Sequence, residues 1–125
     1  MLPSRPRVLL ADDYPELVKA VGRLLSFDCE VVGSVADGSA LLEAARRLKP
    51  DVIVLDLNLQ NVHGLEACRQ ITQANPEIKV IVFTAMIEPG VRQQSFAAGA
   101  SAFVSKMASV DELISTVKRL CVEQD

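Results

Sequence analysis

The chain has 125 residues, half of them hydrophobic, with aromatic residues at only 4% and a formal net charge of −3. That length fits one domain with an aliphatic core, and no cluster of Lys and Arg is built to follow a phosphate backbone. The three cysteines, Cys29, Cys68 and Cys121, lack metal-ligand spacing and are expected as free thiols in a reducing cytoplasm; no apolar run is long enough for a bilayer span.

In chain order, "RVLLA" (7–11) reads as a strand, and Leu17, Val21, Leu24 and Leu25 then share one helical face. "CEVVGSV" (29–35) is a second strand, weakened by Gly33. Leu41, Leu42, Ala45 and Leu48 make a second helix that ends before Pro50. "DVIVLD" (51–56) is a third strand. Leu65, Cys68 and Ile71 mark a third helix, closed at Asn75–Pro76. "KVIVF" (79–83) is a fourth strand. "GVRQQSFAAG" (90–99) has a poorer apolar face, interrupted by Gln93, Gln94 and Ser95, and suits a weakly anchored helix with Gly99 as its C′ residue. "AFVS" (102–105) is the fifth strand, and Val110, Leu113, Ile114, Val117 and Leu120 form a strong last helix.

Five βα units predict an α/β fold: a doubly wound, five-stranded parallel sheet with helices on both faces. Sites in such sheets form beyond the carboxyl ends of the strands. Those ends carry Asp12 and Asp13, then Asp56, then Thr84, then Lys106. Local readings exist for each. Asp13 and Glu16 would form a capping box around Pro15, Asp56 would accept backbone N–H groups in a loop, and Thr84 and Lys106 would be an ordinary strand end and a solvated lysine. His63, near the start of the third helix, reads as a plain surface residue.

As a group the strand ends point to chemistry. Two like charges about 4 Å apart repel by about 4 kcal/mol at an effective dielectric of 20, so three clustered carboxylates need cations. A divalent ion and Lys106 would bring the formal charge of the site to zero. The donors are hard oxygens, which selects Mg²⁺, with Mn²⁺ as the alternative, over zinc. The arrangement is prepared for a phosphoryl group with a carboxylate as nucleophile.

The ordered motifs "VLLADD", "VIVLDLNL", "VIVFTA" and "AFVSK" resemble the receiver domains of two-component response regulators, the CheY-like fold; "ADDYPELV" and "SKMASVDEL" resemble receivers of LuxR/NarL-type regulators. The resemblance covers nearly the whole chain and implies a single receiver domain over residues 1–125 with strand order 2-1-3-4-5. It implies that Asp56 is the phosphoacceptor, charged by a sensor histidine kinase or a phosphotransfer protein. Asp12, Asp13, Asp56 and the backbone carbonyl of Asn58 would hold Mg²⁺, Lys106 would pair with phosphoryl oxygens, and Thr84 and Phe103 would form the switch. It further implies no substrate turnover, a cytoplasmic setting, a second copy as partner after phosphorylation, and no direct nucleic-acid binding by this segment, which is either a stand-alone receiver or one joined to a DNA-binding domain beyond residue 125. The competing readings are an atypical receiver that serves as an unphosphorylated interaction module, and a phosphatase or phosphotransferase using Asp56.

Three departures from the family pattern stand out. Leu59–Gln60 occupies the place of a common Met-Pro, which predicts a less rigid loop before Gly64. Met107 follows Lys106 where Pro with a cis bond is common, so a trans bond is expected. Phe103 lacks the hydroxyl of the more familiar Tyr.

Overall fold

The computed structural model describes residues 5–59, 61–86 and 88–122. Five strands and five helices alternate: β1 (Arg7–Ala11), α1 (Pro15–Leu25), β2 (Glu30–Val35), α2 (Gly38–Leu48), β3 (Val52–Leu55), α3 (Gly64–Ala74), β4 (Lys79–Thr84), α4 (Val91–Ala97), β5 (Ala102–Ser105) and α5 (Val110–Val122). All neighbouring strands are parallel, in the order β2-β1-β3-β4-β5.

Alternation along the strands divides the core in two. Leu9, Ile53, Leu55, Val80 and Val82 point to the face covered by α2, α3 and α4, where they meet Leu41, Ala45, Cys68 and Ile71. Val8, Leu10, Val52, Val54, Ile81 and Phe83 point to the other face and pack on Val21 and Leu25 of α1 and Leu113 and Val117 of α5. Because both faces are covered, the central strands need apolar residues at every position, which explains the unbroken run in β3. The expected boundaries shift slightly. Cys29 is buried just ahead of β2, Asp51 and Asp56 flank β3 rather than belong to it, and β4 extends to Thr84.

The helix ends follow local chemistry. The Asp37 side chain accepts from the Ala40 N–H at 2.8 Å and caps α2. α4 is the shortest helix, with Val91 and Ser95 its buried residues, and Gly99 just past its end has φ 107° as expected of a C′ glycine. The capping box does not form. Tyr14 is the N-cap of α1, with no side-chain cap bond, and Pro15 takes the first helical position. His63, exposed as expected, is the N-cap of α3 and accepts from the Leu65 N–H through Nδ1 at 3.2 Å.

Cys29, Cys68 and Cys121 are free thiols; the first two are buried and the third half-buried. Burial pushes the Cys68 thiol up to about 11, Arg69 opposing weakly. The folded state therefore holds this proton more tightly than the unfolded chain. As pH rises from about 9 toward about 11, the unfolded state loses the proton first and stability falls. Burial likewise pushes Cys121 up to about 11 and raises Cys29, so urea unfolding across that range should show the decline, and Cys68→Ala should make it shallower without abolishing it, beneath its own packing loss.

Candidate functional site

Strand pairing delivers the acidic residues to one edge of the sheet. The Asp56 N–H donates to the Ala11 carbonyl at 2.9 Å and the Asp12 N–H to the Val35 carbonyl at 3.0 Å, so the ladder continues past the strand ends and fixes both backbones. Asp56 is only 6% exposed. A dry strand thus carries this carboxylate to a fixed position, and the carboxylate is tolerated there because it is fully paired. The Lys106 ammonium donates to Asp56 Oδ2 at 3.0 Å and to Asp12 Oδ2 at 2.6 Å. The Thr84 hydroxyl donates to Asp56 Oδ1 at 3.0 Å, and the Asn58 N–H donates to the same oxygen at 3.2 Å. Asp12 Oδ1 accepts from the Tyr14 N–H at 2.9 Å.

Of the residues singled out in the sequence, Asp12, Asp13, Asp56, Thr84 and Lys106 converge. Carboxylate oxygens of Asp12, Asp13 and Asp56, one from each, lie within 4.8 Å of one another. The hydroxyl of Thr84 touches the Asp56 carboxylate itself. Thr84 also accepts from the Met86 N–H at 3.2 Å. Asn58 is exposed at the mouth of the site and contributes its N–H. Phe103 lies outside the site. It is half-buried on β5, two register positions from Thr84 on the face that α4 covers.

Burial alone would lower the Lys106 pKa, but its hydrogen bonds to Asp12 and Asp56 and the attraction of both carboxylates more than offset this and raise it. The ammonium therefore stays charged throughout the neutral range. It neutralises one of three carboxylates, which leaves the site with an excess of negative charge.

That donor set fits a hard divalent cation. At about 2.1 Å from Mg²⁺, two ligand oxygens sit about 3 to 4.2 Å apart. Oxygens within 4.8 Å reach that range by small rotations of exposed Asp13 and half-buried Asp12. A cleft lined by Lys49, Asp51, Glu77 and Lys79 lies at the opposite edge, beside the amino ends of β3 and β4, away from this chemistry.

The described part of the loop after β3 is packed closely against its surroundings. Leu57 and Leu59 are buried, at 1% and 8% exposure, and the Gly64 N–H donates to the Leu57 carbonyl at 3.3 Å. A Cβ on Gly64 would lie 2.5 Å from the Leu57 Cα, and one on Gly38 would lie 2.3 Å from the Val62 carbonyl oxygen. Two bare backbones thus lie close against the loop, which leaves no room for a Cβ at Gly38 or Gly64; Gln60 lies outside the described residues. Among the described residues no peptide bond is cis, so Lys106–Met107 is trans as expected.

The residues missed in the sequence are Gly38, which grips the loop from α2, and Arg92, whose guanidinium lies over two aromatic rings on the α4 side. Neither leaves a local signal, since both act through contacts distant in sequence.

Residues 8–118 match the family described as response regulator receiver domain. The chain is 33% identical over 121 residues to response regulator GacA of Pseudomonas aeruginosa, covering 94% of this chain and 56% of the relative. It is 33% identical to response regulator protein VraR of Staphylococcus aureus, covering 90% and 55%. It thus spans about half the length of these curated relatives. The structure of a LuxR-family two-component response regulator from Aurantimonas is similar, with a TM-score of 0.89 and 30% identity, covering 96% of this chain and 87% of that one. So is the receiver domain of the response regulator NarL from Mycobacterium tuberculosis, with a TM-score of 0.88 and 28% identity, covering 98% and 100%. Motifs, strand order and matched family agree: the chain belongs to the response regulator receiver domains of two-component systems.

Proposed function

We propose that this chain is a phosphoacceptor switch whose nucleophile is Asp56. The observation that carries the reading is the convergence of Lys106 and Thr84 on the Asp56 carboxylate, which places a cation and a hydroxyl donor where phosphoryl oxygens would lie. An Asp56 oxygen attacks the phosphorus of a phosphohistidine on a sensor kinase or phosphotransfer protein. A P–O bond forms as the P–N bond breaks, and the released imidazole takes a proton. Rigid placement at the end of β3 supplies orientation, the main thing such a transfer asks of the protein. Asp12, Asp13, Asp56 and the backbone carbonyl of Asn58 would hold Mg²⁺, which when bound screens the carboxylates and the transferred group. Lys106 binds the phosphoryl oxygens, and Thr84 exchanges its carboxylate acceptor for one of them.

A phosphoryl group replaces a charge of −1 with roughly −2 and brings more acceptors. Tightening of Thr84 opens space for Phe103 on the same face, and α4, β5 and α5 form the responding surface. The domain has no turnover of its own and works in the cytoplasm. Residues 1–125 act as one receiver unit, a second copy is its partner in the phosphorylated state, and the output is transcriptional, through a DNA-binding segment beyond residue 125. The greater length of the curated relatives supports that last point.

The test is incubation with acetyl phosphate and Mg²⁺. One acid-stable, hydroxylamine-labile phosphoryl group should appear, map to Asp56 by mass spectrometry, and form much more slowly without Mg²⁺. Modification elsewhere with Asp56 untouched would refute the reading, and no modification at all would favour the unphosphorylated interaction module. Asp13→Ala should weaken Mg²⁺ binding and slow phosphorylation while leaving metal-free stability equal or higher, because Asp13 caps nothing and a like charge is removed. Calorimetric Mg²⁺ titration beside thermal melting checks both halves.

A further inference from the structure

Arg92 has no part in the acidic site. It is an exposed residue in the first turn of α4. Its guanidinium carbon lies 5.4 Å from the ring centroid of Phe96, one turn along the helix, and 5.8 Å from that of Phe103 on β5. Both distances are within the reach of a cation–π contact. Among the described residues Arg92 forms no salt bridge with a carboxylate. Phe96 is 41% exposed, so its ring is open to the guanidinium.

The rest of α4 is weakly held. Its N-cap, Gly90, has φ 90° and makes no side-chain cap bond, and Val91 and Ser95 are its buried residues. Arg92 therefore ties α4 to β5 through the ring of Phe103. The same ring sits on the sheet face of Thr84, with the half-buried Met86 also packed against that core.

We infer that Arg92 is a positioning residue: its guanidinium, lying over Phe96 and Phe103, holds the half-buried Phe103 ring against α4 and so sets how often the domain visits the inward, switched arrangement. This rests on the switch reading above. On the switch reading, a turn of Phe103 toward Thr84 would take its ring away from Arg92, so the contact favours the present arrangement over the switched one. A contact present in one state of a pair shifts their ratio by its whole strength. For an exposed cation–π contact that is about two- to fivefold.

The test uses the 125-residue chain labelled with 4-fluorophenylalanine, with the Phe103 resonance assigned by Phe103→Leu. Solvent isotope shifts report ring exposure in wild type, Arg92→Met and Arg92→Lys, and beryllofluoride with Mg²⁺ serves as the phosphoryl mimic. Arg92→Met, which keeps the apolar stem, should make the Phe103 ring less exposed in the free protein and tighten apparent beryllofluoride affinity about two- to fivefold by linkage. Arg92→Lys should fall between. A merely structural Arg92 would alter melting temperature and leave both readouts where they were, and that result would overturn the inference. If the wild type fails to take up beryllofluoride, the switch reading falls. The exposure of Phe103 in free Arg92→Met then still decides whether Arg92 holds the ring out.

Discussion

The Asp56→Asn protein should take up no phosphoryl group, and without divalent cations it should melt at the wild-type temperature or a few degrees above it. The first half follows from replacing the nucleophile with an amide. The second follows from competing charges. At an effective dielectric of 20, Lys106 at 3.0 Å attracts the Asp56 charge by about 5.5 kcal/mol. Asp12 and Asp13, with oxygens within 4.8 Å, each repel it by at least about 3.5 kcal/mol. Repulsion wins by a small margin. Part of the gain is lost because every partner of the Asp56 oxygens is a donor, so the new amide nitrogen must face one of them, at about 1 kcal/mol. With Mg²⁺ the order should reverse: the wild type gains stability and the variant gains less. Thermal melts with and without Mg²⁺ check this. A collapse of the metal-free variant would mean that the Lys106 pair dominates and that the cluster does not strain the fold.

Gly64→Ala is the second large effect. The new Cβ would fall 2.5 Å from the Leu57 Cα and 2.8 Å from the Leu57 carbonyl oxygen, and both are backbone atoms that cannot rotate away. Such overpacking costs about 1–3 kcal/mol. Leu57 follows Asp56 directly, so the strain passes to the nucleophile, and a displacement near 1 Å can slow a reaction about a hundredfold. We expect a lower melting temperature together with a ten- to hundredfold slower phosphorylation by acetyl phosphate. Gly22→Ala in α1 is the control. Its Cβ would meet the Leu10 Cδ1 at an ordinary 3.6 Å, and removing a helical glycine should stabilise by about 0.5–1 kcal/mol without changing the rate. A Gly64→Ala protein that matches wild type in both respects would show that the loop is not gripped there.

The alternation of the chain was legible because both of its periods are strong. β3 is apolar at every position, α5 has a clear stripe, and Asp12, Asp56, Thr84 and Lys106 stand where strands must stop. Their meeting could be read from topology alone. What escaped was set by tertiary contact. The close packing of the loop after Asp56 comes from Gly38 and Gly64 lying against its backbone, and no residue inside the loop announces that. The local reading of Asp13 fails although Asp13 and Glu16 have capping-box spacing, because the chain enters the helix at Tyr14. His63 was rightly placed on the surface, but its cap on α3 uses a residue type that seldom serves as one. Arg92 was passed over because a cation above a ring has no sequence period.

The bond between Lys106 and Asp12 joins residues 94 apart, nearly the two ends of the described fold. A growing polypeptide has made Asp12, Asp13 and Asp56 long before it makes the lysine that steadies them. Until β5 docks on β4, the pairing of β1 with β3 can bring the three acids together with no ammonium among them. On the proposed switch reading, readiness to accept a phosphoryl group is thereby tied to the completion of the sheet, since a chain without β5 lacks the lysine of its acceptor site.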